Sequence, residues 1–311
     1  MHMADALISP AVGGTMWAAS AGLAAYSARK VRLEAQDGKA PLMGVLGAFV
    51  FAAQMVNFAI PMTGSSGHLA GGMLLAILLG PHAAFLAMFS ILSVQALFFA
   101  DGGLLALGCN AFNLGFWPCF VAIPFVFRPI AGASPGRGRL LAAAILAGAC
   151  SLQLGAFGVV LQTLVSGRSD IPFGAFALLM QPIHLAIGVV EGVVTAALMS
   201  FVRQARPEIL DFAPPAAPAG SSRRPLILAI AAAALVIASA VSWLASARPD
   251  GLEWSLEKAT RKGTLAAPAD ARKPWPAVDA GTSLAGVVGA ASALVVSGLV
   301  GWALRRLARS G

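Results

Sequence analysis

The sequence predicts an all-α integral membrane protein. It is a polytopic helical bundle of about seven apolar segments, one of them short or broken, plus a two-helix C-terminal unit. Three observations predict it. Of 311 residues, 58% are apolar and only 11% charged, against about 25% charged in soluble domains. The mean hydropathy is +0.81. The apolar residues gather near 9–28, 41–62, 69–80, 81–100, 103–127, 140–165, 172–202, 226–246 and 282–303, with most basic residues in the short loops between.

Most of these stretches are long enough to cross about 30 Å of hydrocarbon, which takes about 20 residues. The stretch 69–80 is not: its twelve residues reach about 18 Å at about 1.5 Å each. It is a half-span, or a helix broken at Gly80-Pro81, tolerated where it lines a protein-enclosed cavity. Residues 1–206 read as one compact membrane unit. Residues 207–225, rich in Pro, Ala, Gly and Ser, read as a flexible cytoplasmic linker. Residues 226–311 read as a two-span unit enclosing a polar outer loop over 247–281.

Charge orients the bundle. Arg29, Lys30, Arg32 and Lys39 fill the first loop, Arg128, Arg137 and Arg139 another, and Arg203, Arg206, Arg223 and Arg224 the linker. Arg305, Arg306 and Arg309 close the chain, making 14 of the 21 basic residues. Placing all four groups in the cytoplasm requires the N-terminus outside and the C-terminus inside. The loop 247–281 holds six further basic residues and five acids, and long loops constrain topology weakly. The net charge of +8 thus reflects membrane topology and not a nucleic-acid surface.

Other classes drop out. Cys109, Cys119 and Cys150 lie in apolar stretches without CxxC spacing, as buried hydrophobes do. Signatures of serine or cysteine nucleophiles, HExxH and the P-loop are missing, so the chain has no ATP-hydrolysing motif of its own. Asp5 stands where a signal peptide needs basic residues, so the N-terminus is expected to be retained. A bulky His2 also protects Met1 from removal.

That expectation bears on chemistry. The amine of Met1, the backbone amide of His2 and the His2 imidazole lie within chelating reach of one metal, closing a five- and a six-membered ring. A second imidazole completes a four-nitrogen square, which suits Ni(II) or Cu(II) better than zinc. The charge-derived topology puts His68, in the loop Thr63-Gly64-Ser65-Ser66-Gly67-His68, on the same outer face as His2. His68 reads either as that imidazole or as a surface histidine.

His184 and Glu191 lie seven residues apart, two helical turns, so they share one face. At about 10 Å separation they are too distant to share a metal. They read as glue between helices or as a functional pair, since a carboxylate at membrane depth faces a bundle interior or a cavity. Gln54, Asn57, Gln95, Asn110 and Asn113 read as interhelical hydrogen-bonding residues, with Asn57 best placed to orient a ligand. An alternative function is a membrane haem or redox-metal protein using His82 and His184. A third is a purely structural subunit.

Several blocks together resemble a known family. They are Met1-His2, Phe51-Ala52-Ala53-Gln54-Met55-Val56-Asn57-Phe58, Ser66-Gly67-His68-Leu69-Ala70-Gly71-Gly72, Leu79-Gly80-Pro81, Gln95 to Gly103, and His184 to Gly192. In order and over residues 1–205 they resemble the CbiM/NikM family, the substrate-binding membrane components of energy-coupling factor transporters for cobalt and nickel. Arg248-Pro249-Asp250-Gly251-Leu252-Glu253-Trp254 resembles the PDGLE domain, a NikN-like accessory unit. The resemblance implies a metal site from Met1, His2 and His68. It leaves Asp5, Asn57, Ser66, Gln95, His184 and Glu191 as supporting or structural residues. It implies Ni(II) or Co(II) as transported substrate, no organic cofactor and no enzymatic activity. It further implies a transmembrane coupling protein, ABC-type ATPase subunits and a multi-pass place in the bacterial plasma membrane. The family's Met-His-Ile start, followed by an acid and glycine, here reads Met3, Asp5 and Ala6: the acid is kept and the glycine is not.

Overall fold

The computed structural model describes residues 1–33, 39–205, 224–260 and 280–309. After a short 3-10 turn at Asp5–Leu7, α1 runs over Pro10–Leu33. Pro10 opens it, where a missing N–H costs nothing. α2 covers Lys39–Gln54. The apolar stretch expected to continue to residue 62 instead ends there. Phe58–Ala59 (β1) pairs antiparallel with Ser66–Gly67 (β2), Phe58 opposite Gly67 and Ala59 opposite Ser66. This pairing takes Phe58 and Ala59 out of the helix, and Pro61 restricts only Ile60 before it.

α3 is only Gly72–Leu79, with all eight residues buried. The backbone turns at Gly80, φ 80°, a conformation glycine adopts without a Cβ penalty. Pro81 then opens α4, Pro81–Phe98. The break expected at Gly80-Pro81 is therefore present. α5, Leu107–Ala131, winds as a π-helix over Phe112–Phe127, where Pro118 and Pro124 would each interrupt an α-helical ladder. α6, Arg137–Ser166, packs along α7, Phe173–Ala205. Their seam is lined by Gly148, Gly188 and Gly192, each close to backbone atoms of the facing helix. Small residues let membrane helices approach in this way.

The tail contributes α8, Arg224–Ser239, α9, Gly251–Ala259, and α10, Ala280–Arg309. α10 lies against α2, Gly44 facing the backbone of Leu294 and Gly298. Of the linker expected over 207–225, residues 207–223 lie outside the described residues, as does 261–279 of the outer loop, whereas Arg224 and Pro225 already belong to α8.

Five described helices, α4, α5, α6, α7 and α10, are long and apolar enough to cross a membrane, while α2 and α8 are shorter apolar helices. α1, expected as a span, is not among the five. Gly13, Gly14, Thr15, Ser20, Gly22 and Ser27 lower its hydropathy. The protein is a helical membrane protein.

Candidate metal centre

The N-terminal segment runs into the bundle and is pinned there. Met3 N donates to Asn110 Oδ1 at 2.8 Å, and Asn110 Nδ2 donates back to Met3 O at 3.1 Å. Gly103 N also donates to Met3 O, at 2.9 Å. Asp5 Oδ1 accepts from Ala106 N at 3.0 Å. The segment fits because Gly103 has no side chain; a Cβ there would collide with Asp5.

This threading buries the chain end. Met1 is 4% exposed, and its ammonium lies 3.2 Å from Asp250 Oδ2. The His2 ring stacks on that of His68, centroids 5.1 Å apart and planes 18° apart. His2 Nδ1 donates to Asp101 Oδ1 at 3.1 Å, while Nε2 is buried without a hydrogen-bond partner. His68 Nδ1 lies 3.1 Å from Leu69 O. A carbonyl can only accept, so Nδ1 carries the proton and Nε2 keeps its lone pair. Burial, reinforced by the charged chain end and His2, pushes the His68 imidazole down to about 3.

The loop carrying His68 is held from below. Glu191 accepts from Ala70 N at 2.6 Å and from Gly71 N at 3.0 Å. Those donors lie at the N-terminal end of α3, where a carboxylate is favoured. Gln95 Nε2 donates to Gln54 Oε1 at 2.7 Å, and Gln54 Nε2 donates to Ala70 O at 2.8 Å. Gln95 therefore reaches the loop through Gln54.

The tail closes the site from the other side. Ser66 N donates to Pro249 O at 2.8 Å and Ser66 Oγ to Arg248 O at 2.8 Å. Asn57 O accepts from Ser246 N at 2.7 Å. Asn57 and Ser66 thus bind the tail; neither side chain orients a histidine. Asp250 divides its carboxylate. Oδ1 caps α9 by accepting from Leu252 N and Glu253 N, both at 2.9 Å, while Oδ2 faces Met1.

Met1, His68, His184 and Asp250 line one small cavity, with about 10 Å³ open to the centre of a water-sized sphere. His184 therefore faces this cavity while Glu191 serves the loop, and the two act apart. His82 is elsewhere, 3.2 Å from Ser27 Oγ, its ring packed against Tyr26 and Phe120. The pairing of His82 with His184 needed for a haem protein has no counterpart in this geometry. Among the described residues no three His, Cys, Asp or Glu side chains gather as a metal cluster. The nitrogens that do converge belong partly to the chain end.

Sequence reasoning missed three residues. Asp101 stood within the block Gln95 to Gly103 and Asn110 among generic polar residues. Asp250 carried the clearest unused signal, an Asp followed three positions later by Glu253, a capping-box spacing.

Residues 2–209 match the family described as the cobalt uptake substrate-specific transmembrane region. The chain belongs to this family. Residues 224–276 match the PDGLE domain. A chain of Archaeoglobus fulgidus, provisionally named a fused nickel transport protein NikMN, is 33% identical over 320 residues, covering 100% of both chains. The cobalt transport protein CbiM of Sorangium cellulosum is 32% identical over 219 residues, 68% of this chain and 95% of its own. A crystal structure of a truncated transition metal transporter aligns at TM-score 0.57 with 29% identity, covering 66% of this chain and 99% of its own. This member of the cobalt uptake family thus joins that region to a PDGLE domain and has a metal-transporter fold. Its relatives are transport proteins, in keeping with a component that is not an enzyme.

Proposed function

We propose that this chain is the substrate-capturing subunit of an energy-coupling-factor importer for Ni(II), with Co(II) as the alternative substrate. It faces its N-terminus outward across the plasma membrane. A transmembrane coupling protein and ABC-type ATPase subunits drive release inward. One observation carries the reading: the buried Met1 amine, His2 and His68 converge beside one cavity. The amine, the His2 amide, His2 Nδ1 and His68 Nε2 supply four nitrogens for a planar ion. Nickel is favoured by that donor set and by the fused NikMN-type relative.

Loading follows from the contacts. His2 Nδ1, which closes the six-membered ring, must leave Asp101. The Met1 amine must leave Asp250 and lose its proton, and the His2 amide must lose its own. Asp250, held in place by its cap on α9, stays beside the site as counter-charge. Through Asp250 and Ser66 the tail forms one wall, so the PDGLE unit assists loading or retention.

Calorimetric titration of purified protein with Ni(II), Co(II), Cu(II) and Zn(II) tests the reading, beside His2→Ala, His68→Ala and a one-residue N-terminal extension. Binding should be lost in all three variants. Retained binding in the extended chain would sink the proposal.

A further inference from the structure

His184 is fully buried, at 0% exposure, yet one of its two ring nitrogens has no partner. Nδ1 lies 2.8 Å from Met180 O. As the carbonyl can only accept, Nδ1 carries the proton, and Nε2 is left with an unshared lone pair. That Nε2 makes no hydrogen bond. A buried polar atom left in this state is costly, and an unseen water or ion is one of the few things that account for it. His184 lines the cavity shared by Met1 and His68. Its ring also abuts Gly251, where a Cβ would stand 3.0 Å from Cε1 and 3.5 Å from Nε2. Gly251 directly follows the aspartate that faces the chain end. Fixing an imidazole by donation from one ring nitrogen to a backbone carbonyl, with the other nitrogen bare, is the usual preparation of a metal-ligating histidine.

We propose that His184 Nε2 is a fifth ligand to the ion held by the chain end, His2 and His68. The inference rests on that chelate. Four nitrogens fill the plane, so any further donor in the same cavity approaches from outside it. A planar Ni(II) complex needs no such ligand. Co(II), which readily takes five donors, gains from one. His184 is therefore a metal-contacting residue that admits Co(II) to a site otherwise shaped for nickel.

The experiment loads the purified full-length chain separately with Ni(II) and Co(II). X-ray absorption then counts imidazoles, and calorimetry gives affinities, for the unaltered chain, His184→Asn and His2→Ala. Asparagine places an amide donor where Nδ1 was, so it keeps the bond to Met180 O and removes only the Nε2 lone pair. The Co(II)-loaded unaltered chain should show three imidazoles and His184→Asn two. Co(II) affinity of His184→Asn should fall by at least about tenfold, the lower end of what losing even an outer-shell partner costs, with a smaller loss for Ni(II). Two imidazoles in the unaltered Co(II) protein would overturn the inference while leaving the chelate intact. Because that count needs no variant, a misfolded His184→Asn protein does not rescue the idea. Undiminished metal binding by His2→Ala would instead overturn the chelate itself.

Discussion

Met1 ammonium and Asp250 meet although 249 positions separate them, and His2 meets His68 through a ring stack. The histidines were legible because residue type, chain end and charge-derived topology all bear on them. Their carboxylate partners were not, since nothing local in a sequence ties Asp101 to His2 or Asp250 to Met1. If the proposed chelate forms, each ion displaces protons from the amine and the amide. Calorimetry in buffers of different ionisation enthalpy should register that release, and affinity should fall as pH is lowered. His68 adds little to this trend, as its ring stays neutral well below pH 6. It acts on stability instead. With the folded imidazole at about 3 against an ordinary 6.5, the unfolded chain binds the extra proton between those values. Stability is therefore complete above about pH 6.5 and declines as pH falls toward about 3, visible as a lower melting temperature in detergent.

At the scale of elements, the short helix α3 and the turn before it present His68, and Glu191 on α7 satisfies their free amides. Glu191→Ala strands two buried donors at about 1–3 kcal/mol each. It should lower the melting temperature and weaken Ni(II) binding together. Glu191→Gln keeps one acceptor oxygen and should lose less. The cap on α9 makes a second case. Asp250→Ala removes the cap, worth about 0.5–2 kcal/mol, and frees the Met1 ammonium. Asp250→Asn preserves the cap and removes only the charge. Both should speed acylation of the terminal amine by an amine-reactive ester, but only Asp250→Ala should melt markedly earlier. Among the elements, the break at Gly80-Pro81 was legible because glycine and proline declare it locally. The early end of α2 was harder to see. An apolar run continues past Gln54, and only pairing of Phe58–Ala59 with Ser66–Gly67 decides its conformation.

On the scale of the whole molecule, the helical membrane class followed from composition and from the lengths and spacing of the apolar stretches. The tail's place did not. A linker and a two-span unit suggested an appendage, whereas α10 lies against α2 and Arg248 to Asp250 wall the site. Truncation after residue 206 should therefore reduce Ni(II) uptake by cells and hasten loss of bound metal; normal uptake would refute a loading role for the tail. The contact between Met1 and Asp250 also sets a clock. A ribosome working at roughly 5–20 residues per second needs roughly 12–50 s to travel from the first of these residues to the second. Through that interval Met1 and His2 must await the segment that completes their surroundings, open to enzymes that act on a nascent chain. The maturity of this protein is thus a matter of timing, and a slow step late in translation would lengthen the exposure of Met1.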